Sequence, residues 1–248
     1  MAENTDRAGR SASQTVKALL ELRELILGGE LRPGDRISEL AIVERLGVSR
    51  TPVRTALVRL AEEGFIEEIP SGGFAVKGFS ERDVFDAIDL RGLLEGMAAR
   101  LAAERSLSAG DLAPIRDVLA ATDALIAEAG SSEEFFSGYV ALNGRFHEML
   151  WALSDSPVVI RQIERVSALP FASHNGFVMA QSAAGEARTI LAVAQDQHRC
   201  VVDAIEAREG ARAEALMREH ARLASRNLRT VLRNRTRMDL VKGGSLIR

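Results

Sequence analysis

Residues 64–79, GFIEEIPSGGFAVKGF, interrupt a chain that otherwise reads as helix. β-Branched and aromatic residues flank Pro70-Ser71-Gly72-Gly73, so the stretch predicts a β-hairpin closed by a small loop. Its surroundings narrow the fold further. In TVKALLELRELILGGE, Val16, Leu19, Leu20, Leu22, Leu25 and Ile26 follow the helical period until Gly28-Gly29 stops it. The turn LRPGDRIS leads to a second helix over about 38–46 with Ser38 as N-cap, LGVS makes a tight break, and a third helix begins near Ser49. Three helices and a hairpin within 80 residues is the order of a winged helix-turn-helix. Beyond Ser80 the pattern is helix alone, over 80–105, 108–129, 132–153, 156–168, 184–208 and 210–235, which predicts an all-helical bundle. The expected class is mainly α, with a winged helix-turn-helix at 1–78, a helical domain at 79–237 and a flexible tail at 238–248.

The 248 residues give room for two domains of ordinary size. A hydrophobic share of 46% beside 27% charged residues is that of a soluble globular chain. The polar start MAENTDRAGRSASQ lacks the apolar centre of a secretory signal, and no apolar run reaches the roughly 18 residues of a membrane span. Cys200 is alone, so no intrachain disulfide forms, which suits a reducing cytoplasm. The net charge of −3 excludes a uniformly basic nucleic-acid binder; such a function has to come from a local cluster.

ERLGVSRTPVRTALVRLAEEG holds such a cluster, with Arg45, Arg50, Arg54 and Arg59 and no acid between Glu44 and Glu62. Arg50 and Arg54 stand one turn apart at the start of the third helix, where a recognition helix presents arginine to guanine in the major groove. Ser49 is placed to cap that helix and to donate to a phosphate, and Pro52 falls in the first turn, where its missing N–H removes nothing. The DNA-contacting set is therefore expected to be Arg45, Ser49, Arg50, Thr51 and Arg54, with Gly72 in a loop small enough to enter a minor groove and Lys77 placed to hold a phosphate. The plainer alternative is a solvated arginine face on an ordinary helix. The same alternative is the favoured reading of ASRNLRTVLRNRTR near the C-terminus.

GDRISELAIVERLGVSRTPVRTALVRLAEEGFI resembles the DNA-binding domain of GntR-family transcription regulators, and the helical remainder resembles the FCD effector domain of the FadR-type branch. The resemblance runs from about Thr15 to Leu232. It implies that Ser49, Arg50 and Arg54 contact the operator; where some members carry a further arginine, this chain has Leu40. VSRTPVRTAL, DAIDLRGLLEGMAAR and Asn143 in place of aspartate are most similar to the vanillate-repressor type, which responds to aromatic acids.

His198 and His220 are 22 residues apart, or roughly 33 Å on one unbroken helix. Gly210 is a reasonable point for the chain to reverse, and from it the two histidines are 12 and 10 residues away, so antiparallel helices set them side by side. Asn143 and His147, one helical turn apart, can complete the group from a third helix. Three imidazoles and one oxygen donor suit Zn²⁺, Ni²⁺ or a similar divalent ion. The resemblance implies the same, since the FCD family has a metal site of one Asp or Asn and three histidines at this spacing. His174 lies outside that pattern and reads as pocket wall or surface. An amide at 143 leaves a dication among neutral ligands, a charge that an organic carboxylate effector would supply. Arg91 is a second anchor for such an anion, or else an intrahelical partner of Glu95.

These readings converge on a regulator, not an enzyme: a cytoplasmic homodimer, without membrane attachment, that binds a pseudo-palindromic operator. It would repress a catabolic operon until a small organic carboxylate, aromatic by the resemblance, binds at Arg91, Asn143, His147, His198 and His220. The rival reading is a metal-dependent hydrolase on the same histidines, for which Glu148 points about 100° away around its helix from His147.

Overall fold

The structure, a computed structural model, describes residues 2–128, 132–169, 171–175, 187–232, 241 and 243–248. The chain forms two compact units, one of residues 1–81 with 242–248 and one of residues 82–241.

In the first unit, α1 (Ala2–Leu27) and α2 (Glu39–Leu46) pack on α3 (Arg50–Glu62). Their shared core includes Leu22, Ile26, Ile42, Val53, Leu57, Leu60 and Phe65. Ser38 caps α2 by accepting from the Ala41 N–H, and Gly47 ends it in the left-handed conformation (φ 63°), its N–H returning to the Val43 carbonyl. That glycine turn delivers the chain into α3. Ser49 occupies the N-cap position with extended backbone but makes no side-chain cap bond, so its expected capping role is not realised.

The expected hairpin, β2 (Ile66–Glu68) and β3 (Phe74–Val76), is joined by β1 (Arg36–Ile37), which sequence reading leaves inside a turn. The sheet order is β1-β3-β2, antiparallel throughout, with Arg36 and Glu67 both opposite Ala75. A two-residue strand has no readable alternation, so only pairing reveals it.

The segment expected to be a flexible tail is corrected where it is described. Residues 243–248 belong to the first unit and carry a 3-10 turn, Gly244–Leu246. Phe79 donates to the Leu246 carbonyl at 2.8 Å and accepts from the Arg248 N–H at 2.8 Å, while Leu246 is fully buried. Apolar Leu246 and Ile247 supply the burial that an all-polar end would lack. The proposed boundary at 237/238 lies outside the described residues, as does the end of the arginine-rich segment beyond Leu232.

The second unit is all helix among the described residues: α4 (Glu81–Glu104), α5 (Ala109–Ala127), α6 (Glu133–Leu153), α7 (Pro157–Ser167), α8 (Ala187–Glu206) and α9 (Gly210–Leu232). Ser108 and Asp111 form a capping box on α5, and Ser132 and Ser156 cap α6 and α7. Apolar faces meet around Phe146, Leu150, Trp151, Val201, Ile205 and Met217. α8 and α9 are the expected antiparallel pair, but the left-handed turn residue is Arg208 (φ 59°), and Gly210 opens α9 instead of reversing the chain.

Two glycines on α4 set how deeply α9 docks. A Cβ at Gly92 would lie 2.6 Å from the Ala221 Cβ, and one at Gly96 would lie 2.9 Å from the Arg218 Cγ and 3.0 Å from the Glu214 carbonyl. Gly92→Ala gains about 1 kcal/mol of helix propensity but forces apart packed helices at a cost of about 1–3 kcal/mol. Urea unfolding should therefore show a net loss of stability; a more stable variant would contradict the close packing.

Candidate functional site

α4, α6, α8 and α9 each deliver a polar side chain to one buried spot in the second unit. His147, His198 and His220 are buried, and their ligand atoms all lie within 4.8 Å of one another. The Nε2 atoms of His198 and His220 are 3.2 Å apart.

Hydrogen bonds behind the rings orient them. The Gln195 amide nitrogen donates to the Leu119 carbonyl and to Asp123 Oδ1, both at 2.9 Å, which turns its oxygen toward His198 Nδ1 at 3.2 Å. His198 therefore carries its proton on Nδ1 and directs a lone pair from Nε2. His147 Nδ1 faces Glu95 Oε1 at 2.9 Å, a carboxylate that only accepts, so its Nε2 is likewise the free atom. That Nε2 is buried with no hydrogen-bond partner among the described residues. His220 Nδ1 meets Gln197 Oε1 at 3.2 Å. Backing oxygens of this kind fix ring orientation in metal-binding histidines.

Asn143 is oriented the same way. Asn175 donates to the Val140 carbonyl at 3.0 Å and accepts from Asn143 Nδ2 at 2.8 Å, which leaves Asn143 Oδ1 buried and without a partner among the described residues. The expected set of Asn143, His147, His198 and His220 thus shares one locus, with two orphaned acceptors, Asn143 Oδ1 and His147 Nε2. Buried orphans of this kind call for an explanation, and a divalent ion fits this donor chemistry.

Glu95 is the residue that sequence reading undervalued. It is fully buried, accepts from His147 and from the Trp151 indole at 3.1 Å, and stands 3.9 Å from Arg91 Nε through its other oxygen. Burial alone would raise its carboxyl pKa, but His147 and then Arg91 outweigh it and hold the group well below the usual carboxylate range. Of the two expected alternatives for Arg91, the pair with Glu95 is present; its Nε and Nη1 make no hydrogen bond among the described residues, and it lines the cavity beside the histidines.

His174 lines the cavity, as the pocket-wall reading expects, and it also meets the cluster. Its ring stacks on His147 at 4.5 Å and 13°, and it forms a second close group with Glu95 and His147. Tyr139, Asn143, His174, His220 and Asn227 join Arg91 around a cavity of about 40 Å³. Burial pushes the Tyr139 phenol up, so it stays neutral.

Glu148, the hydrolase reading's base, faces out as an exposed residue, and the carboxylate at the cluster, Glu95, is committed to His147 and Trp151.

The DNA-facing set lies in the first unit. Arg50, Thr51 and Arg54 are exposed on α3 and line an open hollow of about 450 Å³ with Glu39, Thr55 and Val58. Buried Pro52, Val53, Ala56 and Leu57 hold the opposite face. Arg45 is instead paired with Glu30 at 3.0 Å, which removes it from the unpaired set. Gly72 has φ 82° and open space where a Cβ would be; Lys77 lies over the Phe79 ring at 5.2 Å.

Residues 14–76 match the gntR family of bacterial regulatory proteins, and residues 86–223 match the FCD domain. The chain is 35% identical over 137 residues to the Nta operon transcriptional regulator of Aminobacter aminovorans, spanning 55% of this chain and 61% of that protein. It is 27% identical over 206 residues to the HTH-type transcriptional repressor GlaR of Escherichia coli, spanning 80% and 88%. The solved structure of Escherichia coli McbR/YncC is similar in fold, with a TM-score of 0.59 at 22% identity, covering 90% of this chain and 98% of that one. Among the described residues, no helix is long and apolar enough to cross a membrane.

Burial holds the imidazoles of His198 and His220 well below the usual histidine range, His220 at about 3, with His220 further lowering His198 and His147 further lowering His220. An unfolded chain protonates these rings near pH 6.5, whereas the folded one keeps them neutral. Stability of chelator-treated protein should therefore fall as pH drops below about 6.5, by up to about 1.4 kcal/mol per pH unit for each such ring. His220→Asn should flatten that slope by one proton's worth in urea titrations at pH 7 and 5; an unchanged slope would show that His220 is not held neutral.

Proposed function

The chain belongs to the GntR family of bacterial regulatory proteins and carries an FCD domain, and from that premise we propose that it is a repressor released from operator DNA by a small organic carboxylate. The observation that carries the DNA half is the exposed arginine face of α3, which has no acidic partner among the described residues. Arg50, Thr51, Arg54, Thr55 and Val58 form one exposed stripe at helical spacing, beginning at the helix N-terminus, where base edges and phosphates are met. Two half-sites require two copies. Leu90, Leu93 and Met97, 46%, 45% and 38% exposed along α4, offer an apolar stripe for a homodimer that reads a pseudo-palindrome.

The effector half rests on charge. Asn143, His147, His198 and His220 would hold a divalent ion, zinc or a similar borderline metal, which would supply a Lewis-acid position for a ligand oxygen. Arg91 and Glu95 cancel each other, so a site of neutral ligands around a dication keeps a charge of about +2 for an anion to offset. Arg91 lines the same cavity, and its Nη1, buried without a hydrogen bond among the described residues, is a donor for such an anion. The cavity of about 40 Å³ admits the carboxylate end of a ligand, roughly the space of a few water molecules. An aromatic acid would need Leu191 or Leu223 to give way. Release of DNA then requires only that the effector bind two dimer arrangements with different affinity.

Arg50→Ala and Arg54→Ala should each abolish sequence-specific retardation of operator DNA in a gel shift while leaving thermal stabilisation by organic acids intact. Chelation should remove that stabilisation without touching the arginines. Wild-type operator affinity in both variants would sink the assignment.

A further inference from the structure

The hairpin of the first unit is a poor DNA ligand by its own sequence. From Gly64 to Val76 it carries no lysine or arginine, and Glu67 and Glu68 on β2 are exposed. Its tip is nearly bare backbone. Gly72 and Gly73 adopt φ of 82° and 91°, closed by bonds from Gly72 N–H to the Ile69 carbonyl at 2.8 Å and from Ile69 N–H to the Gly73 carbonyl at 3.1 Å. No atom approaches within 4 Å of a Cβ built on Gly72, so the tip is open to whatever meets it.

The fold repairs this deficit from a distant part of the chain. Pairing of β1 with β3 sets Arg36 opposite Ala75, and its guanidinium runs along the sheet to the tip, where Nη2 donates to the Gly72 carbonyl at 2.9 Å. A Cβ built on Gly73 would meet the same nitrogen at 3.9 Å, so the guanidinium packs against the tip at both glycines. Arg36 is exposed and has no acidic partner among the described residues. One hydrogen bond fixes its position and leaves its other N–H groups free. An arginine held beside a bare glycine turn has the shape and charge for a narrow minor groove, whose negative potential is strongest over A·T pairs.

We propose that Arg36 is the side chain with which the wing reads DNA, entering the minor groove beside Gly72 and selecting A·T pairs flanking those met by α3. The proposal rests on the operator-binding reading above. In the minor groove an A·T pair shows only acceptors, whereas G·C adds an amino group that blocks an approaching cation. The inosine·cytosine pair lacks that amino group while keeping the major-groove edge of G·C, so it separates the two grooves.

A preferred site is first selected from randomised duplexes with the full-length protein, and the pairs flanking the α3 contacts are then changed. Wild-type protein should bind A·T and I·C versions about equally and the G·C version roughly tenfold more weakly. Arg36→Gln should bind all three alike, keep its preference at the α3 positions, and unfold at the wild-type temperature. Uniform weakening on all three duplexes with retained A·T preference, and a salt slope reduced by about one, would make Arg36 a phosphate contact and overturn the proposal. So would an I·C duplex bound as weakly as G·C. Those results leave the regulator reading standing, whereas failure to select any sequence would remove both.

Discussion

Lone pairs from three imidazoles aimed into one buried space are the constraint around which the second unit is organised. A neutral histidine presents one donor and one acceptor, and the backing oxygens of Glu95, Gln195 and Gln197 claim the donor side. His198 and His220 then bring Nε2 atoms to 3.2 Å, a separation that lone pairs tolerate only around a shared electrophile or proton. Gln195 is itself pinned by Leu119 and Asp123 on α5, so a helix that contributes nothing to the cluster decides a tautomer within it. Gly92 and Gly96 act one layer further out, by letting α9 settle far enough onto α4 for His220 to arrive.

Charge explains why the cluster is suited to sensing more than to chemistry. Glu95 is the buried acid there, and it is held ionised by His147 and Arg91, not poised near neutrality as a general base would be. Its negative charge is already matched by Arg91. Asn143, fixed by Asn175 so that its oxygen faces inward, adds a dipole and no charge. On the proposed reading, in which a divalent ion joins these neutral ligands, an anion would offset the charge that remains. At the other end of the chain the same economy holds in reverse: exposed, unpaired arginines on α3 form the surface suited to a polyanion, while Arg45, paired with Glu30, does not.

The helices are legible because local chemistry specifies them. Of the two serines read as caps, Ser38 caps α2 and Ser49 makes no cap bond, and three of the four histidines meet because heights on antiparallel helices follow from counting residues. What escaped depends on partners far along the chain. Glu95 reads as the i+4 mate of Arg91, and nothing local announces His147, 52 residues on, as its second partner. His174 joins the cluster from a loop that has no period to count. The strand of Arg36 and Ile37 exists only through its pairing with β3, and the C-terminal turn only through Phe79. Gly210 drew attention as a turn, yet Arg208 bears the positive φ, since three backbone hydrogen bonds around Ala204 and Ile205 close the reversal there.

X-ray absorption of the zinc-loaded protein at the metal edge tests the central account most directly, because it counts imidazoles without a crystal or a known effector. The arrangement predicts three imidazole nitrogens at about 2.0–2.1 Å with oxygen in the remaining positions, and loss of one imidazole in each of the His147, His198 and His220 alanine variants. A shell without imidazole, or one unchanged by those substitutions, would contradict it.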